Sequence, residues 1–120
     1  MSEERYVYHI TTRSSWHSAQ AEGVYRAESL ERQGFIHLSR AAQVYRVANA
    51  LYRGATDLVL LTVDTAELGA ALRYEPADPS LPTETAETEL FPHLYSTLPI
   101  KAVIAVQPLV PKADGSFGAD

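Results

Sequence analysis

Apolar and polar positions along the chain divide into short extended runs and one clear helical stripe. Residues 5–10 (Arg-Tyr-Val-Tyr-His-Ile) are aromatic and β-branched, with no room for a helix before Thr11 and Thr12, and predict a first strand. Thr12 then caps a short helix to about Gln20 or Ala21, with Trp16 and Ala19 facing inward and Gly23 as its stop. Residues 35–38 (Phe-Ile-His-Leu) predict a second strand. Ser39 follows directly as the expected N-cap of the strongest helix, whose stripe Val44, Val47, Ala48 and Leu51 has the i, i+3, i+4, i+7 spacing of one buried face and which Gly54 closes.

Two further apolar runs, 58–63 between Asp57 and Asp64 and 101–106 ahead of Pro108, read as strands buried on both faces. Between them, residues 75–89 hold Pro76, Pro79 and Pro82 among acidic residues, which predicts a mobile acidic loop. Residues 90–95 resume as a short edge strand, because Pro92 cannot donate to a ladder. The end of the chain, rich in Gly, Pro and Asp, is expected to fray. Short strands with two main helices make this an α+β chain.

Composition narrows the chemistry. With 120 residues, 46% hydrophobic and 21% charged, the chain suits one folded domain, and no apolar run reaches the roughly 18 residues a membrane span needs. The absence of cysteine removes disulfides, thiolate nucleophiles and thiolate metal sites. An acidic start, Met1-Ser2-Glu3-Glu4, is unlike a secretory leader, so a cytoplasmic protein is expected. A net charge of −5 argues against broad nucleic-acid binding, which needs a basic surface to displace counterions.

Four histidines in such a chain are unremarkable in number, but three of them, His9, His37 and His93, sit between apolar residues in extended segments. Strand alternation puts His9 with Val7, and His37 with Phe35, on one face each, half sheltered, where an imidazole can be tuned for acid, base or hydrogen-bonding work. Each could equally be a core residue bonded to a carbonyl. His37 gains weight from Ser39: a strand that ends in a hydroxyl and opens a helix presents N–H groups and a positive dipole end to a phosphate. A three-histidine zinc site is an alternative with thin support, because no short-range His pair anchors it. Glu87 and Glu89 could supply a carboxylate or form a solvated run. Tyr6, Tyr8, Tyr74 and Tyr95 could stack on a ring or pack the core.

Three blocks, Tyr8-His9-Ile10-Thr11, Gly34-Phe35-Ile36-His37-Leu38-Ser39 and Glu89-Leu90-Phe91-Pro92-His93-Leu94-Tyr95, resemble those of the domain of unknown function 952 family. The resemblance covers about residues 5–109, leaving 110–120 as a flexible tail, and includes Tyr74-Glu75-Pro76. That family is grouped with the ADP-ribosyltransferase-like fold, and the stretches Tyr8–Thr11 and His37–Ser39 are similar to those of the RNA 2'-phosphotransferases. The resemblance implies a small split-sheet fold with an NAD-binding cleft, in which His9, Thr11, Ser39 and Tyr95 hold the nucleotide and His37, His93 and Glu89 carry transfer chemistry. His9 would hold a ribose hydroxyl. Ile10 stands where the phosphotransferases have Gly, their arginines are not evident, and His93 competes with Glu89 for the position of a catalytic Glu. The expected ligand is therefore NAD or another small phosphorylated ribonucleotide, with no metal, acting in an ADP-ribosyl or phosphoryl transferase; the alternative is a non-catalytic binding or interaction module.

Overall fold

A computed structural model describes residues 5–77 and 89–118. The elements run β1 (Tyr6–Thr12), α1 (Arg13–Glu22), β2 (Val24–Tyr25), α2 (Glu28–Gln33), β3 (Ile36–His37), α3 (Val44–Leu51), β4 (Leu58–Asp64), β5 (Leu72–Pro76), β6 (Leu90–Leu94), β7 (Leu98–Pro99) and β8 (Val103–Leu109). They form two three-stranded antiparallel sheets, β1-β4-β8 and β3-β6-β5, and a two-stranded ribbon β2-β7. The architecture is α+β with small split sheets. No described helix is long and apolar enough to cross a membrane.

Alternation explains how the first sheet serves two cores. Val7, His9 and Thr11 point to one side of β1 and Tyr8 and Ile10 to the other. On the first side Val7, Leu61 and Val63 meet Trp16 and Ala19 of α1 and Ile36 and Leu94 of the second sheet. On the other, Ile10 and Leu58 meet Val44 and Ala48 of α3. The first helix follows the expectation: the Thr12 hydroxyl accepts from the Ser15 N–H, and Gly23 closes the helix with φ 87°, a conformation that favours glycine.

Ser39 does not cap a helix. Its backbone pairs with Tyr8 in an isolated antiparallel bridge, with N–H···O distances of 2.8 and 2.7 Å, and so ties β1 to the chain leaving β3. Helical structure starts later, in a 3-10 turn at Ala41–Gln43 that runs into α3. Burial of Ser39 in this seam outweighs its capping propensity, so no helix N-terminus stands at Ser39.

Other differences follow from pairing that local sequence does not specify. β6 is the central strand of its sheet. Pro92 is tolerated because its carbonyl accepts from Leu38 N–H just where the β3 ladder ends, so its missing donor falls on the side with least left to pair. β8 starts two residues later than expected, passes through Pro108, and is a largely exposed edge, not a buried strand. Glu75 and Pro76 belong to β5, not to a loop; residues 78–88 of that expected loop lie outside the described residues. Helix α2 was not expected from its mixed polar pattern.

The segment expected to fray is packed as far as Gly118. Phe117 is only 4% exposed and joins the α3 core, and Asn49 brackets its backbone, donating to its carbonyl at 3.0 Å and accepting from its N–H at 2.7 Å. Truncating a buried Phe typically costs 3–5 kcal/mol. Phe117→Ala should therefore lower unfolding stability in urea by about 3 kcal/mol, whereas a loss below about 0.5 kcal/mol, the size of an ordinary surface change, would mean that the segment does not dock.

Candidate functional site

The main cavity, of about 390 Å³, opens where β1, β2, β3 and β6 converge with α3, and His9, His37 and His93 all line it. This volume falls within the range usual for small-molecule sites. Val47 and Leu51 form an apolar wall, which accounts for the exposure of the lower end of the helical stripe. Thr11 and Ser39 line the cavity too. Glu89 and Tyr95 do not.

His9 is 8% exposed and both its ring nitrogens are engaged: Nδ1 lies 2.7 Å from the His37 carbonyl oxygen and Nε2 lies 2.9 Å from the Tyr25 hydroxyl. Burial pushes its pKa down to about 4, against which the bond to the His37 carbonyl works only partly. The ring is thus neutral at ordinary pH. A carbonyl can only accept, so the proton sits on Nδ1, and Nε2 accepts from Tyr25. Burial also raises the Tyr25 pKa, keeping its proton in place. With no lone pair to spare, His9 could hold a zinc ion or a ribose hydroxyl only by displacing Tyr25.

His93 is the opposite case. Strand register makes it the direct partner of His37 across β3 and β6, with ring centroids 5.7 Å apart, and Phe35 stacks on it at 4.2 Å. It is 3% exposed, and its Nδ1 lies 2.9 Å from Glu75 Oε1. The same oxygen accepts from the Tyr95 hydroxyl at 2.6 Å. Hydrogen bonds from Tyr95 and then His93 hold the Glu75 carboxyl below the usual carboxylate range. Among the described residues His93 Nε2 has no hydrogen-bond partner, and it is not enclosed. A carboxylate that fixes one imidazole nitrogen and leaves the other open is the arrangement of a general base.

His37 lies beside this pair, its Nε2 2.8 Å from Gln33 Oε1. Glu89 is committed elsewhere: burial works to raise its pKa, but an ion pair with Arg46 and a bond from Gln43 at 3.0 Å hold it below the usual range. Tyr95 acts behind the cavity, on Glu75, with Arg73 over its ring at 4.9 Å. Sequence reasoning missed Glu75 as a site residue because the neighbouring prolines suggested a loop, although Tyr74-Glu75-Pro76 stood within the family resemblance. It also missed Tyr25, whose two-residue strand leaves almost no local signal. Among the described residues no group of three His, Asp or Glu is placed to hold a metal ion.

A family model described as "Protein of unknown function (DUF952)" matches residues 10–106. The chain belongs to the DUF952 family. This DUF952 chain is similar to CC0527 from Caulobacter crescentus, whose crystal structure superposes with a TM-score of 0.81 at 32% identity over 94% of this chain and 93% of that one. The solution NMR structure of CC0527 gives a TM-score of 0.76 at the same identity, over 94% and 91%. No curated protein matches significantly.

The neutral His9 of this DUF952 chain links stability to pH. Unfolded, it binds a proton near pH 6.5; folded, only near 4, so stability is complete above 6.5 and is lost as pH falls toward 4. The loss should approach about 3 kcal/mol. The lowered carboxylates, including Glu75, contribute their own losses only at lower pH, below about 4.5. Urea unfolding of wild type and His9→Gln between about pH 6.5 and 5 should show a slope only in wild type; equal slopes would mean that His9 titrates normally in the fold.

Proposed function

We propose that the cavity binds the nucleoside end of a ribonucleotide such as NAD, and that the Glu75–His93 pair serves there as a general base. The carrying observation is the open Nε2 of a buried His93 whose other nitrogen is fixed by a carboxylate. The aromatic lining residues Tyr52 and Phe91 and the similarity of Tyr8–Thr11 and His37–Ser39 to the RNA 2'-phosphotransferases, with their ADP-ribosyltransferase-like fold, support a ring-bearing ribosyl ligand. Among the described lining residues there is no Arg or Lys, and Glu28 is the charged one. The phosphates of such a ligand therefore lie toward solvent.

In ribosyl transfer, Nε2 would take the proton of an acceptor hydroxyl as its oxygen bonds to the ribose C1' carbon. Nicotinamide would leave with the electrons of the broken glycosidic bond. This assigns to His93 the position for which Glu89 was the other candidate. The protein we envisage is cytoplasmic, in keeping with its lack of cysteine.

NAD titrated into wild-type protein should shift backbone amides around Thr11, Ser39 and His93, and nicotinamide release, read by mass analysis, should fall at least about 100-fold in His93→Ala. No amide response at millimolar NAD would sink the reading. The absence of Arg and Lys among the described lining residues favours a second reading, a binding module without turnover. Histidine-independent traces of nicotinamide alongside clear binding would select that module.

A further inference from the structure

The cavity meets a hydrogen-bond chain whose direction is set from one end. The His37 carbonyl accepts from His9 Nδ1–H at 2.7 Å, so His9 Nε2 must accept from the Tyr25 hydroxyl at 2.9 Å. Tyr25 has one proton and gives it to His9, which leaves its oxygen to accept from the Thr11 hydroxyl 3.1 Å away. The Thr11 proton is thereby turned inward. What Thr11 can still offer the cavity it lines is lone pairs alone.

We infer that the Thr11 corner of the cavity is a specificity subsite that accepts a ligand hydroxyl or N–H and rejects a carbonyl, carboxylate or phosphate oxygen. Tyr25 and His9 are positioning residues for it. The inference deepens the reading of the cavity as a ribosyl-ligand site, and rests on it only for the probes used. An acceptor oxygen placed against Thr11 would either face lone pairs or break a buried chain, whereas a ligand hydroxyl completes it. Sites built to hydrogen-bond a substrate hydroxyl discriminate sharply against analogues that lack it. Glu28 on the lining, with no Arg or Lys among the described lining residues, adds to the exclusion of anions. The residue that the family resemblance would have assigned to a ribose hydroxyl, His9, acts one step back, through Tyr25.

The chain itself is testable without ligand. Nitrogen shifts of the imidazoles in ligand-free protein at neutral pH should show His9 protonated on Nδ1 and bare on Nε2. The opposite tautomer reverses the chain and overturns the inference while leaving the Glu75–His93 proposal standing. Inorganic phosphate at about 10 mM, a level at which even a weak millimolar site would be mostly filled, should leave the amides of Thr11, Ser39 and His93 unmoved; saturable shifts there overturn it too. Nicotinamide riboside should bind at least about tenfold more tightly than one of its 2'-fluoro or 3'-fluoro analogues, a loss of the size expected for one buried hydrogen bond. Thr11→Ser should keep that ratio, and Thr11→Val and Tyr25→Phe should bring it near one. If the riboside binds but the ratio is near one in wild type, the subsite is wrong and the cavity reading survives; if neither the riboside nor NAD binds, the ligand class fails for both.

Discussion

The bond from His9 Nδ1–H to the carbonyl of His37 joins two sheets that otherwise share little backbone pairing. Together with the Tyr8–Ser39 bridge, it forms a seam across which β1 of the first sheet meets the end of β3 in the second. Each buried group in the seam needs its partner, because an unpaired polar atom there would cost on the order of 1–3 kcal/mol. The cavity opens at this seam, so its shape depends on an imidazole that is structural and uncharged.

That constraint sorts the three histidines. His9 is fully committed and neutral, and its contribution to any ligand passes through Tyr25 and Thr11. His37 supplies its carbonyl to the seam and its ring to the flank of His93. His93 alone of the three combines near-complete burial, a carboxylate partner and a nitrogen without a partner among the described residues. Similar local surroundings, apolar neighbours in an extended segment, thus lead to three different roles, and what separates them is the hydrogen-bond partner each meets in the fold.

The parts that could be read from sequence are those governed by short-range pattern. Thr12 and Gly23 bracket α1 as capping chemistry demands, and the stripe of α3 and the apolar run of β4 announce themselves by periodicity. A serine after a strand satisfies a capping rule locally, whereas the role of Ser39 in the fold depends on Tyr8, thirty-one positions away in the chain. Pro92 differs from local expectation for the same reason: whether a proline disrupts a ladder depends on which neighbour its nitrogen faces, and that is a property of the sheet. Glu75 was invisible as a site residue because its partner His93 is eighteen positions away and the prolines between them suggested loop.

The working cluster is, in the end, one face of the second sheet. Arg73 is the register partner of His93, and Glu75 of Phe91, so strand alternation places Arg73, Glu75, Phe91, His93 and Tyr95 on the same side. His37, opposite His93, brings Phe35 to that side as well. The other face carries Ile36, Leu72 and Leu94 into the core. A slip of one residue in β5 would turn that strand over relative to β6, burying Glu75 and exposing Leu72. The apolar face therefore enforces the register, and the register brings a carboxylate to the one imidazole that needs it. Packing on one side of the sheet specifies the chemistry on the other, and this is why a cluster assembled from three short strands can hold a carboxylate, an imidazole and a phenol within hydrogen-bonding distance.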